Sequence, residues 1–318
     1  MEPLGIKIAR IEALHEQVCE CCTLSKQDIP EVERRIHAVL SPFSEQYDRN
    51  TDEALDVALL LLLAEGGVLV PGAEAEHIAD TVLLEMQRAL QQLPRTINAT
   101  ARVAGRQLLV AGGRFIGLTL PSSPETRALS DRAGDDMEFW FRRAFRDRAA
   151  VEQMRSWILE FLTDPKHRTG TGRLLWVQQA RAFIEQGRTG LKAAADLWGY
   201  RWFNLGLLKT HEAEAARNPS LRLIAMNNPP FGPDSRTTPF CRWVNGRTIS
   251  VERAQEQVVD YFSAIDDGDA EAAKAARPLL SASEATGGTG GFEEVFSELG
   301  MPPYHYFCRT LAISSAGG

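Results

Sequence analysis

The chain has 318 residues, enough for more than one domain with its own core, and its 44% hydrophobic and 24% charged content is that of a globular protein. A formal net charge of −7 argues against a protein that coats nucleic acid over its whole surface. Five cysteines, an odd number, do not suggest a disulfide framework, so synthesis in a reducing cytoplasm is expected.

No basic n-region followed by an apolar core opens the chain, so no secretory signal is expected. The most apolar run, residues 57–64 with five consecutive leucines, is too short to span a bilayer and reads as a buried helix. Helices are expected over Leu4–Cys22 and Glu31–Leu40, after Asp52 as far as Gly66-Gly67, and from about Glu74 to Leu93, where Pro94 is expected to stop the last one. Residues 99–120 mix short apolar runs with Gly105, Gly112 and Gly113, which predicts a β-hairpin or small strand excursion. Residues 121–136, opening with two prolines and two serines, read as a loop or linker.

Helices are expected again from Met137 to Arg217, with a break between Asp164-Pro165 and Gly172. This region holds Trp140, Trp157, Trp176, Trp198 and Trp202, which predict a core rather than a base-stacking platform. Beyond Asn218-Pro219 the pattern is mixed. Leu221–Met226 reads as a strand, Thr248 begins a second, Val251–Ile265 reads as a helix, and Phe292–Leu299 as a short helix after a glycine-rich loop. The fold class expected is therefore α+β and predominantly helical. Its organisation is an N-terminal mainly helical domain with a small β excursion over residues 1–130, a basic helical connector over 131–218, and a C-terminal mixed module over 219–318. Charge follows this division. Residues 1–98 carry 8 Lys/Arg against 17 Asp/Glu, and residues 141–192 carry 11 against 5. Such polarity suits a connector between partners of opposite charge, and solvated helix faces produce it too.

Two motifs about sixty residues apart carry most of the specific chemistry. The first contains Asp234, Arg236, Thr237, Cys241, Asn245 and Gly246; the second contains Pro302, Pro303, His305, Cys308 and Arg309. Thiolate, imidazole and carboxylate are the ligands zinc takes, so Asp234, Cys241, His305 and Cys308 are candidate metal ligands. Two buried thiols packed as small hydrophobes, or a Cys241–Cys308 disulfide, explain the same residues. A second cluster, His15, Cys19, Cys21 and Cys22, places three soft side chains on one helical face, where burial among Ile11, Leu14 and Val18 is the simpler explanation. The glycine-rich segment 287–291 lacks the Lys-Ser/Thr of a phosphate loop. The segment Thr169–Arg173 precedes a helix and reads as a loop and cap, with anion binding as the alternative. No Ser/His/Asp order and no HExxH motif is present, so no catalytic residue is expected.

The paired motifs resemble the Mu-type phage head morphogenesis (minor capsid) family. Members carry an Asp-x-Arg-Thr segment, a cysteine soon after, Asn/Asp-Gly, and later Pro-Pro-x-His-x-x-Cys-Arg. Asp234, Arg236 and Thr237 match the first element, Cys241, Asn245 and Gly246 the next, and Pro302, Pro303, His305, Cys308 and Arg309 the last. Upstream, Lys209-Thr210 through Glu212 to Asn218 is similar to the family's Arg-Thr-Glu…Asn helix, with lysine for arginine, which keeps the charge and loses the bidentate fork. The resemblance covers about residues 170–311. Pro239 and Thr310 stand where relatives often have a further cysteine, which departs from a thiolate-rich zinc site.

The resemblance implies a non-enzymatic structural role for a phage or prophage protein. It would act at the portal vertex in procapsid assembly, DNA packaging or ejection, located in the host cytoplasm during assembly and then in the virion head or at the portal vertex. Its implied partners are the portal protein and other capsid components, with non-specific DNA contact through the basic segment and no membrane. The cofactor question is open between none and zinc. The alternative is a zinc-dependent or nucleotide-using enzyme with its site at the Asp234/Cys241/His305/Cys308 cluster.

Overall fold

A computed structural model describes residues 72–115, 123–144, 148–164, 170–218, 222–227, 237–277, 279–287, 300–305 and 308–314, with isolated positions between 34 and 49 and at 120, 292 and 293. The elements are α1 (Gly72–Phe115), α2 (Pro124–Ala144), α3 (Arg148–Thr163), α4 (Gly170–Arg217), β1 (Leu223–Asn227), α5 (Pro239–Val244), β2 (Thr248–Ser250), α6 (Val251–Asp266), α7 (Ala270–Ala276), α8 (Ala282–Thr286) and β3 (Leu311–Ser314). The fold is α+β and predominantly helical, as the composition and patterning predict, and the strands among the described residues form one small sheet. The helices expected over Leu4–Cys22 and after Asp52 lie outside the described residues.

The chain divides into two units that interleave along the sequence. One comprises Met1–Leu40, Gly105–Ser130 and Asp196–Gly318; the other comprises Ser41–Ala104 and Asp131–Ala195. The second unit is helical among its described residues. Ala75, Ala79 and Val82 are buried along α1 at spacings of four and three, and Ile97, Ala101 and Ala104 repeat the pattern. Ala133 and Met137 of α2 and Ile158, Phe161 and Leu162 of α3 are also buried. A Cβ on Gly134 would collide with Asn98 and with the Arg102 stem, so glycine lets α2 approach α1 closely there. Asn98 and Arg102 then reach across to Asp135, Arg102 Nη2 at 3.2 Å.

Three expectations are corrected here. Pro94 does not end a helix, because α1 runs unbroken through it. An internal proline costs about 3 kcal/mol through its missing N–H and ring clash. The buried stripe on both sides, Val82 before it and Ile97 and Ala101 after, offsets that cost. The strand excursion expected over 99–120 is helix as far as Phe115. Gly112 and Gly113 are not turns but points of close contact with α4. A Cβ on Gly112 would meet the Phe203 carbonyl, and one on Gly206 of α4 would meet the Leu109 carbonyl. The loop or linker expected over 121–136 is helix α2 from Pro124 onward. Ser123 caps it: its hydroxyl accepts from Thr126 N at 3.1 Å, and proline fills the first helical position, where no N–H is needed.

The first unit contains the sheet, ordered β2-β1-β3 with both pairings antiparallel. Ile224 and Met226 of the central strand are fully buried while Leu223 is exposed, the alternation of a strand with one face in the core. The strands expected over Leu221–Met226 and from Thr248 are β1 and β2, and the expected helix Val251–Ile265 is α6. Ser250 caps α6 through Arg253 N at 3.0 Å, and Val251, Ala254, Val258, Tyr261, Phe262 and Ile265 face inward. Trp198 and Trp202 of α4 are buried, Trp202 against Phe262, as the tryptophan pattern predicts for these two positions.

β3 has one side on β1 and the other on α4. There the Asn204 side-chain amide behaves like a short strand. Its oxygen accepts from Ala312 N at 2.8 Å, and its nitrogen donates to the Thr310 carbonyl at 3.2 Å and to Tyr200 O at 2.9 Å. His211, two turns further along α4, hydrogen-bonds the backbone of Ala312 as well. An edge strand that would otherwise present unpaired backbone groups is thus closed by side chains.

Candidate metal centre

Cys241 is placed by the start of α5. Thr238 is the N-cap, accepting from Cys241 N at 3.3 Å, and Pro239 occupies the first helical position. Phe240 and Val244 bury the helix on its inner face. Phe240 packs edge-on against Tyr304 at 5.3 Å and Phe292 at 5.1 Å. The turn that ends α5 returns the chain to the sheet: Asn245 N donates to Cys241 O at 3.1 Å, and Gly246 N to Met226 O at 2.7 Å. Gly246 sits at φ +82, a conformation that favours glycine, which accounts for the Asn-Gly pair.

The second motif is held on all sides. Met301 N donates to the Gln257 side chain at 2.8 Å, Arg277 Nη2 to Pro302 O at 3.0 Å, Leu280 N to Tyr304 O at 2.7 Å, and the Tyr304 hydroxyl to Gly300 O at 3.0 Å. The Pro302–Pro303 peptide bond is cis. Burial, reinforced by the nearby thiols, pushes the Tyr304 phenol well above its ordinary pKa, so it stays a donor. Cys308 N then donates to His305 O at 3.1 Å, a turn that brings the imidazole and the thiol to the same side.

Three ligand atoms converge. Cys241 Sγ lies 3.1 Å from His305 Nε2 and 3.7 Å from Cys308 Sγ, and all three lie within 4.8 Å of one another. All three residues are buried, Cys308 to 1% exposure. Thr238 Oγ1 is a further 3.1 Å neighbour of His305 Nε2. The sulfurs are free thiols, well beyond the bond length of about 2.05 Å that a disulfide requires. Their acidities diverge. A hydrogen bond from Cys308, helped by the Thr238 and Thr310 hydroxyls and the Arg309 charge, lowers the Cys241 pKa against the cost of burial. Burial, and then the bond to Cys241, raise Cys308 well above the ordinary thiol value. The buried group formed by Cys241, His305 and Cys308 could hold a metal ion.

Of the residues singled out by sequence, the structure thus unites Cys241, His305 and Cys308. Asp234 and Arg236, like His15, Cys19, Cys21 and Cys22, lie outside the described residues. Thr237 is buried and its carbonyl accepts from Arg242 Nε at 2.9 Å, so it braces α5 rather than joining the cluster. Asn245 and Gly246 shape the return turn, Pro302 and Pro303 are buried supports, and Arg309 contributes charge. On α4, Lys209 pairs with Glu212 at 2.7 Å, and Thr210 bonds back to Gly206 O at 2.9 Å. His211 is buried, which lowers its pKa. Thr238 neighbours the cluster and lies outside the residues singled out by sequence, although a threonine before proline at a helix start is a legible N-cap. Thr310, noted from sequence only as standing in place of a cysteine, hydrogen-bonds the Cys241 thiol. Comparison with protein-family models, with curated proteins and with solved structures gave no match to this chain.

Proposed function

We propose that the chain is a phage or prophage minor head protein with an architectural role at the portal vertex, in procapsid assembly and in DNA packaging or ejection. The observation that supports this reading is the meeting of the two resembling motifs, 67 residues apart, in one buried Cys241/His305/Cys308 group. A cluster so enclosed suits a clasp that fixes a module's shape better than a site that admits substrate, which favours the structural reading over a metalloenzyme. Its partners would be the portal protein and other capsid components, with salt-sensitive phosphate contacts from the basic segment.

The ion that suits this clasp is zinc. Tetrahedral coordination sets two thiolate sulfurs about 3.8 Å apart, and a sulfur about 3.6 Å from an imidazole nitrogen, given Zn–S near 2.3 Å and Zn–N near 2.05 Å. The sulfurs stand at 3.7 Å, and the 3.1 Å sulfur–nitrogen contact needs only a small outward shift. When bound, zinc would tie α5 to the C-terminal turn through Cys241, His305 and Cys308.

Co-sedimentation of the purified chain with rings of the cognate portal protein, at low and at moderate salt, tests the partner. Association is expected, and Cys308→Ser is expected to lower portal association and folding stability together. A stable variant that no longer associates would identify a contact surface in place of a clasp. A wild-type chain that never co-sediments with portal or procapsid would overturn the reading. Elemental analysis of the purified chain checks the metal, with one zinc per chain expected.

A further inference from the structure

We propose that Cys241 and Cys308 also form a reversible disulfide when the metal is removed, so that one clasp has two alternative locks. The inference deepens the clasp reading above and rests on it. Its basis is geometric. The two sulfurs are in van der Waals contact at 3.7 Å, on segments 67 residues apart, and each is held by its own backbone bonds. Closing to bonding distance asks each sulfur to move by less than about 1 Å, within the reach of side-chain rotation.

The oxidant is a small hydroperoxide, since burial excludes a bulky disulfide reagent and leaves transient local opening as the route of entry. The Cys241 sulfur attacks one peroxide oxygen, and the O–O bond breaks. The departing hydroxide leaves as water with the thiol proton, which makes Cys241 a sulfenic acid. The Cys308 sulfur then attacks the Cys241 sulfur and expels the hydroxyl, which leaves as a second water with the Cys308 proton. Two thiols and one hydrogen peroxide give one disulfide and two waters. Two thiols bound to a metal would have their lone pairs engaged, so metal and disulfide are mutually exclusive.

The test uses the full chain, treated with a chelator or loaded with zinc, exposed to hydrogen peroxide, and mapped by peptide mass spectrometry without reductant. In the chelated protein the expected product is a cross-linked peptide pair containing Cys241 and Cys308, about 2 Da lighter than the dithiol and restored by dithiothreitol. Zinc loading is expected to slow its formation about tenfold or more. In Cys308→Ser, Cys241 has no resolving partner and its sulfenic acid should be trapped by dimedone. Free thiols, irreversible sulfinic acid at Cys241, or pairing with other cysteines in folded, chelated wild type would overturn the proposal. A chain that binds no zinc yet forms the 241–308 cross-link would sink the metal reading and leave the redox lock standing. Zinc binding without any cross-link would do the reverse.

Discussion

Replacing Asn204 by leucine keeps the branched outline of the side chain and removes both of its bonds to the edge of β3. The Ala312 N–H and the Thr310 carbonyl, now held at 2.8 and 3.2 Å, would be left buried without those partners. Each orphaned backbone group costs about 1–3 kcal/mol, partly offset because the leucine itself carries no amide to desolvate. A net loss of about 3 kcal/mol is expected, near 10 °C in Tm for a unit of this size. Urea unfolding followed by tryptophan fluorescence would read it, since Trp198 and Trp202 lie on the same helix, and amide exchange at Ala312 should speed up in parallel. Asn204→Asp supplies a contrast. It retains the acceptor for Ala312 N–H but sets a carboxylate against the Thr310 carbonyl, so it should be at least as destabilised at neutral pH and recover in part when protonated. A leucine variant within about 0.5 kcal/mol of wild type, with Ala312 exchange unchanged, would refute the account of β3 as a strand closed by a side chain.

Gly206→Ala should destabilise the chain by about 1–3 kcal/mol, because its Cβ meets the Leu109 backbone carbonyl rather than a movable side chain; thermal unfolding checks this. His211 has its pKa lowered by burial, so the stability it contributes is full above its unfolded value near 6.5 and falls as pH drops through that value. His211→Gln should flatten the stability–pH profile below about pH 6.5 by up to one proton, at most roughly 1.4 kcal/mol per pH unit, seen as a difference between paired urea titrations. Ser281→Ala removes the hydroxyl that accepts from Glu284 N at 3.3 Å and half of the capping box of α8; a local loss of about 1 kcal/mol, with faster exchange at the Glu284 amide, is expected. Chelation should lower the Tm of wild type and leave that of Cys308→Ser unchanged, which differential scanning fluorimetry can resolve.

The parts of the fold legible in the sequence are those where a local signal and the tertiary context agree. β1 alternates buried and exposed side chains, and α6 begins at a serine cap and keeps a helical stripe. The misread parts are those where one residue type serves two purposes. Gly112 and Gly113 look like turn formers, yet in α1 Gly112 admits the Phe203 backbone and Gly113 the Thr210 hydroxyl. The Ser-Pro-Glu run at 123–125 looks like a linker, yet serine, proline and glutamate are what a helix start requires. β3 has no strong local signature in Leu-Ala-Ile-Ser, and its place depends on Asn204, more than a hundred residues away. At the site, Cys241, His305 and Cys308 are legible as candidate ligands from their residue types alone. The contributions of Thr238 and Thr310 depend on distances that spacing does not carry.

The separation of the two halves of the clasp has a consequence for the order in which the chain is made. Cys241 leaves the ribosome 67 residues before Cys308, an interval of roughly 3 to 13 s at 5–20 residues per second. During that interval α5 has no C-terminal turn to close over it, and β1 lacks its second neighbour, β3. The interleaved unit that contains them therefore finishes folding only after synthesis has passed residue 314, with the Cys241 thiol lacking its His305 and Cys308 neighbours until then.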